Sequence, residues 1–246
     1  MGGNNDVKLI IDGKRLDGRS PSDLSKIVMK AGILTRAEGS AYIEWGGNKV
    51  IAGIYGPREC IPKHGENPYQ AVLKCKYSMS PFASKEDHGR AGPNRRSNEL
   101  SKMIRHVFEN VVQLEKYPRT QIDIFIDVLQ AEGGTRVASI VAAALALADA
   151  GIPMKDMVSS VAVGKVDDTV ILDLGKEEDN FGQSDMPVAF SNKTKEILLL
   201  QMDGLLTREE IEKGLDMAIK SSDELHKMQR ATLEKMYSED KEETIF

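Results

Sequence analysis

Two short stretches of this chain carry residue types that can do chemistry together. The first is Gly133-Gly134-Thr135-Arg136. Glycines let a backbone come close to a ligand, and a hydroxyl and a guanidinium supply donors, so the set suits an anion, phosphate above all. It is not a P-loop, because no Gly-Lys-Ser/Thr follows at the required spacing. The second is LDLGKEEDNFGQSDMP, residues 172–187, where Asp179 and Asp185 lie around Gly182. Two carboxylates on one loop at the end of a strand can serve as a general acid or hold a divalent cation. Acid catalysis near neutrality needs one of them to keep its proton, and a like-charged neighbour with partial burial pushes that way. Each stretch also has a plainer reading: Thr135 as a helix cap with Arg136 on the surface, and the acidic run as a solvated turn.

The elements around the first stretch are legible. Before it, QIDIFIDVL alternates Ile122, Ile124, Ile126 and Val128 with polar residues, which predicts a strand with one buried face. After it, VASIVAAALALADA has no breaker until Gly151, which predicts a buried helix whose first amides face the glycine turn. Upstream, residues 40–50 and 51–55 read as a hairpin turning at Gly46-Gly47-Asn48 and ending in Gly56-Pro57. A loop over 58–70 carries Lys63 and His64, and an alternating strand follows over 72–79. A polar loop, SKEDHGRAGPNRR, leads into an amphipathic helix over 97–116, ending before Pro118, with Leu100, Ile104, Val107, Val111 and Leu114 on its apolar stripe. Gly151-Ile152-Pro153 is the expected boundary between an N-terminal half, 1–150, and a C-terminal half, 151–246. In the second half, strands are expected over 160–165 and 169–174 turning at Asp167-Asp168, and over 186–190 and 197–202. A last helix opens at Thr207 with Glu210 in a capping box, and its charged tail is expected to fray. Strands followed by helices in both halves predict an α+β fold.

Composition narrows the class. With 29% charged and 41% hydrophobic residues the chain reads as soluble and globular, and its most apolar stretch, 137–148, is too short to span a membrane. The start, MGGNNDVKLIIDGKR, has no apolar core of a secretory signal. Cys60 and Cys75 lack metal-ligand spacing and are expected as reduced thiols in a cytoplasmic protein. A net charge of −5 argues against free-standing, non-specific nucleic-acid binding. Yet Arg90, Arg95, Arg96, Lys102 and Arg105 crowd one segment, while residues 177–179 and 239–243 are acidic, so a polyanion could be held locally.

Five motifs occur in one order: DGR at 17–19, NRRSNELSK at 94–102, YPRTQIDI at 117–124, QAEGGTRVAS at 130–139, and LDL…EED…SDMP. Together they resemble the RNase PH family of phosphate-dependent exoribonucleases, over roughly residues 13–237. LADAGIPM, AVGKV and LLLQMDG are most similar to the catalytic RNase PH-like subunits of archaeal exosomes. The resemblance implies two α/β halves of ribosomal-protein-like architecture with helices packed on mixed sheets. It implies 3′→5′ degradation of RNA to nucleoside diphosphates, with tailing in reverse.

By the same resemblance, Gly134, Thr135, Arg136 and Arg96 bind phosphate, the cosubstrate. Arg95, Arg96 and Arg119 grip RNA near its 3′ end, and Lys63 and His64 line a central pore. Asp179 is the general acid, and Asp185 orients it or binds Mg2+. The implied partners are RNA 3′ ends, a homologous non-catalytic subunit in a hetero-hexameric ring, and RNA-binding cap subunits. Two departures stand out: Lys26 where the family has arginine after DGR, and a pore loop, HGENPYQA, without its late basic residue. The rival readings are a homo-oligomeric RNase PH that trims tRNA ends, and a silent ring subunit, against which both aspartates and the complete Gly-Thr-Arg turn speak. A small-molecule kinase is a third, against which the missing nucleotide-binding glycine loop speaks.

Overall fold

The computed structural model describes residues 8–84 and 93–243, with side chains to residue 238; Arg90 and the rest of 85–92 lie outside the described residues. β1 (Ile10–Ile11) and β2 (Lys14–Arg15) form a small hairpin. A five-stranded sheet is built from β3 (Ile27–Ala31), β4 (Gly39–Trp45), β5 (Asn48–Glu59), β6 (Val72–Met79) and β7 (Thr120–Gln130). Its order is β3-β4-β5-β7-β6, with only β6 and β7 parallel. The second sheet contains β8 (Val158–Val166), β9 (Thr169–Leu172), β10 (Ser184–Ser191), β11 (Ile197–Leu200) and β12 (Asp203–Gly204). It runs β11-β10-β8-β9, antiparallel throughout, with β12 paired to the front of β10. The helices are α1 (Arg95–Val111), α2 (Thr135–Asp149), α3 (Lys176–Phe181) and α4 (Arg208–Glu243). The α+β class predicted from the sequence is the class observed.

Helix α2 explains its own composition. It packs against β4, β5 and β7 of the first sheet and against β8 and β10 of the second. Residues 137–147 are all buried, so no polar face is needed. Ile122, Ile124, Ile126 and Val128 of β7 enter the same core, as their alternation predicts. Helix α1 covers β6, and α4 lies across β8, β9 and β3, burying Ala218 and Leu225.

Several boundaries differ from the sequence reading. Strand β5 does not end at Gly56-Pro57 but continues to Glu59, with a register shift between Tyr55 and Arg58 that accommodates a proline lacking its amide proton. Helix α1 begins at Arg95 and stops at Val111, not at residue 116. Val112 bridges to Met154, and the Gln113 and Lys155 amides bond Pro153 and Val111 carbonyls, so tertiary bonds replace the helical ones. A 3-10 turn, Leu114–Lys116, still buries Leu114. Strand β9 ends at Leu172, because Asp173 takes a positive φ of 58° and turns the chain. Helix α4 runs on through Glu243, into the charged tail expected to fray.

Candidate active site

The glycine turn is a meeting of two helix starts. Gly134 is left-handed, with φ 63° and ψ 16°, and forms the N-cap of α2 with no side chain capping that end. Gly133 is also left-handed, and a Cβ there would lie 3.0 Å from the carbonyl carbon of Gly175, the residue before α3. With no side chain at Gly133, the start of α2 comes up against the start of α3. Asn48 fixes the turn from the hairpin beneath, its amide nitrogen donating to the Gly133 carbonyl at 2.6 Å while its oxygen accepts from the Glu132 amide at 2.8 Å.

This apposition brings the two sequence clusters together. The charges of Arg96 and Arg136 both act on Asp179 and Asp185. Loss of water around the carboxyl raises the pKa of Asp179, the two arginines oppose that rise, and Asp203 adds to it. Asp185 is raised to about 6, first by burial and then by the charge of Asp179. Arg136 has a buried Nε with no hydrogen-bond partner among the described residues. An uncapped helix start, a guanidinium nitrogen without a partner among the described residues and a carboxyl pair with raised pKa can bind an anion and deliver a proton beside it.

The details depart from the sequence picture. Asp179 and Asp185 do not share a loop: Asp179 is on α3 and Asp185 is the second residue of β10. Thr135 is not a cap but the first residue of α2, buried, with its Oγ1 accepting a hydrogen bond from the Tyr77 hydroxyl at 3.2 Å. Arg95 and Arg96 stand exposed at the start of α1, where Asn94 supplies the cap through a capping box with Ser97. Arg119 is exposed at a positive φ of 59°. Lys63 and His64 occupy an exposed 3-10 turn, with Lys63 paired to Glu59 at 3.0 Å. Neither they nor Arg119 act on the aspartates. Arg105 pairs with Glu109 at 3.4 Å.

Three contributors escaped sequence reading. Asp203 on β12 stands opposite Asp185. Tyr77 on β6 reaches Thr135. Arg15 is buried beneath α3, where its Nε donates to Glu178 at 2.7 Å and its terminal nitrogens bond the Leu172 and Asp173 carbonyls, each at 2.7 Å. Glu178 in turn accepts from the Gly175 amide at 2.7 Å, so this ion pair sets the start of α3. DGR acts nearby: Arg19 pairs with Asp17 and, at 2.9 Å, with Asp173. The LLLQMDG run carried Asp203 in plain view, but its role depends on strand pairing.

Among the described residues no group of three or more His, Cys, Asp or Glu side chains is disposed to hold a metal ion. Asp179 and Asp185 remain a carboxylate pair of the kind that, with substrate phosphates, suits magnesium. No helix among the described residues is long and apolar enough to cross a membrane.

The chain is similar to known proteins over most of its length. Residues 23–153 match the 3' exoribonuclease family, domain 1, and residues 156–221 match its domain 2. The exosome complex component Rrp41 of Thermococcus onnurineus is 52% identical over 238 residues, covering 96% of this chain and 95% of its own. Its counterpart in Pyrococcus furiosus is 53% identical over 232 residues, covering 94% and 92%. Rice Rrp46 superposes with a TM-score of 0.80 at 26% identity, over 89% of this chain and 100% of its own. The Archaeoglobus fulgidus exosome with RNA bound to the active site gives 0.75 at 24% identity, over 88% and 92%, a likeness that shows the fold alone.

Proposed function

This chain belongs to the RNase PH, 3′ exoribonuclease, family, and from that premise we propose that it is a catalytic subunit of an archaeal exosome that degrades RNA by phosphorolysis. The observation that carries the reading is Arg136: a guanidinium nitrogen without a partner among the described residues, at an uncapped helix start, acting on two carboxyls whose pKa is raised.

Inorganic phosphate binds to the first amides of α2, the Thr135 hydroxyl and Arg136, with Arg96 completing the cradle. Arg95 and Arg119 hold the RNA backbone, since guanidinium forks match phosphate oxygens in pairs. A phosphate oxygen then bonds to the phosphorus of the last phosphodiester. The bond from that phosphorus to the preceding 3′-oxygen breaks, and the 3′-oxygen takes a proton from Asp179. Asp185 keeps the pair rich in protons. The product is a nucleoside diphosphate. Catalysis comes from placing two anions side by side and neutralising their repulsion. A phosphodiester bond is exchanged for the phosphoanhydride bond of the diphosphate, so the reaction is reversible and runs backward to add tails when diphosphates accumulate. Magnesium, where it takes part, would be held by Asp179 and Asp185 and would offset phosphate charge; no step above requires it.

The partner is a homologous subunit in a ring, which would bring further arginines to the RNA. The test is to incubate the protein, alone and with such a subunit, with 3′-tailed RNA and phosphate. Nucleoside diphosphates, released faster by the assembly, are expected. Nucleoside monophosphates would establish hydrolysis instead, and full activity of a ring made from this chain alone would favour a homo-oligomeric enzyme.

A further inference from the structure

Tyr77 is hydrogen-bonded to both α1 and α2, the helices whose first turns carry Arg96 and Arg136. Its backbone amide donates to Ser101 Oγ of α1 at 2.9 Å, and that hydroxyl donates to the Ser97 carbonyl at 2.6 Å, in the first turn after Arg96. Its phenol donates to Thr135 Oγ1 at 3.2 Å, in the first turn of α2. The residue is 3% exposed, and no role from the motifs falls on it.

We infer that Tyr77 is a positioning residue: it occupies an acceptor site of the Thr135 hydroxyl, so that the single proton of that hydroxyl points to the bound phosphate, and it fixes the spacing of the two arginine-bearing helix starts. A threonine hydroxyl has one proton and two acceptor sites. No other partner of Thr135 Oγ1 is found among the described residues, while the Thr135 carbonyl is taken by Ser139 at 2.7 Å. Without Tyr77 the hydroxyl can turn its proton away from the anion. The phenol is the donor in this bond, and burial raises its pKa against the Thr135 hydrogen bond and the charges of Arg96 and Arg136, so it holds its proton at neutral pH. Those charges also place the phenol within the field of both guanidiniums.

The inference rests on phosphate binding at the α2 turn, and the experiment separates the two. Initial rates of the assembled enzyme are measured over a phosphate titration and over an RNA titration for Tyr77→Phe, Thr135→Val, the double variant and Arg136→Ala, with thermal melts of each. Tyr77→Phe keeps the ring and is expected to raise the half-saturating phosphate roughly three- to ten-fold, the worth of one hydrogen bond, with kcat and the RNA requirement changed less than about two-fold. Thr135→Val should do at least as much, and the double variant no more than Thr135→Val alone. An unchanged phosphate requirement in Tyr77→Phe, a purely additive double variant, or a fall in kcat with no change in phosphate requirement overturns the inference. If Arg136→Ala shifts the phosphate requirement and Tyr77→Phe does not, only the inference fails. If neither shifts it, the phosphate reading has failed and the inference with it.

Discussion

Asp185 and Asp203 face each other directly across the antiparallel pair of β10 and β12, which sets both side chains on one face of the sheet. Like charges so placed repel, and the charge of Asp203 raises the pKa of Asp185 and of Asp179. The strand pairing thus holds acid-forming charge together at a cost in stability, the exchange expected where a site is built for chemistry.

The pH dependence follows from Asp185, whose pKa rises from 3.8 to about 6 on folding. Between those values the folded protein keeps a proton that the unfolded chain has lost. This contribution therefore falls as pH rises through the window, and its full cost is present above about pH 6. Asp185→Asn should raise the melting temperature at neutral pH, by a free energy on the order of 2 kcal/mol, and should flatten the stability profile between about pH 4 and 6. Its activity should fall. Parallel melts of the variant and parent across pH would check this, and equal melting temperatures at neutral pH would contradict it.

Asp179→Asn is expected to lower turnover by about 100-fold or more, the usual contribution of a positioned acid, with RNA affinity within a few-fold of the parent. Turnover close to the parent's in a single-turnover assay would remove Asp179 from the role of acid.

Arg136→Ala should raise the phosphate needed for half-maximal rate by roughly ten- to a hundred-fold, since losing a charge-assisted contact costs ~1.5–3 kcal/mol. The RNA requirement should move less, because Arg95, Arg96 and Arg119 remain. Crossed titrations of phosphate and RNA distinguish the two.

Arg15→Ala strands Glu178 as a buried carboxylate, which typically costs 3–5 kcal/mol. Because Glu178 also sets the start of α3, activity should be lost at temperatures where most of the fold survives. Calorimetry alongside activity against temperature would show the two curves separate; a variant as stable and active as the parent would show that the ion pair holds nothing in place.

What could be read from the sequence was what local spacing encodes. The Ile122–Ile124–Ile126–Val128 alternation, the unbroken apolar run of α2 and the Thr207–Glu210 box each declare themselves within a few residues. The candidate site was legible where its residues cluster in the chain, as at Gly134 to Arg136 and at Asp179 and Asp185. It was illegible where partners are distant: Arg15 and Glu178 are 163 positions apart, and Tyr77 is 58 from Thr135. The true end of α1 was hidden for the same reason, since Val112 leaves the helix to bond with residues of the connector after α2.

The Arg15–Glu178 pair also sets a timetable. As the chain is synthesised, Arg96, Arg136 and the glycine turn emerge well before Asp179 and Asp185. Arg15, among the earliest residues made, stays without its buried partner until Glu178 is released, and a closure across so much chain is slow to find. The pair that sets the start of α3 can close only after Glu178 has been made, long after the glycine turn it meets.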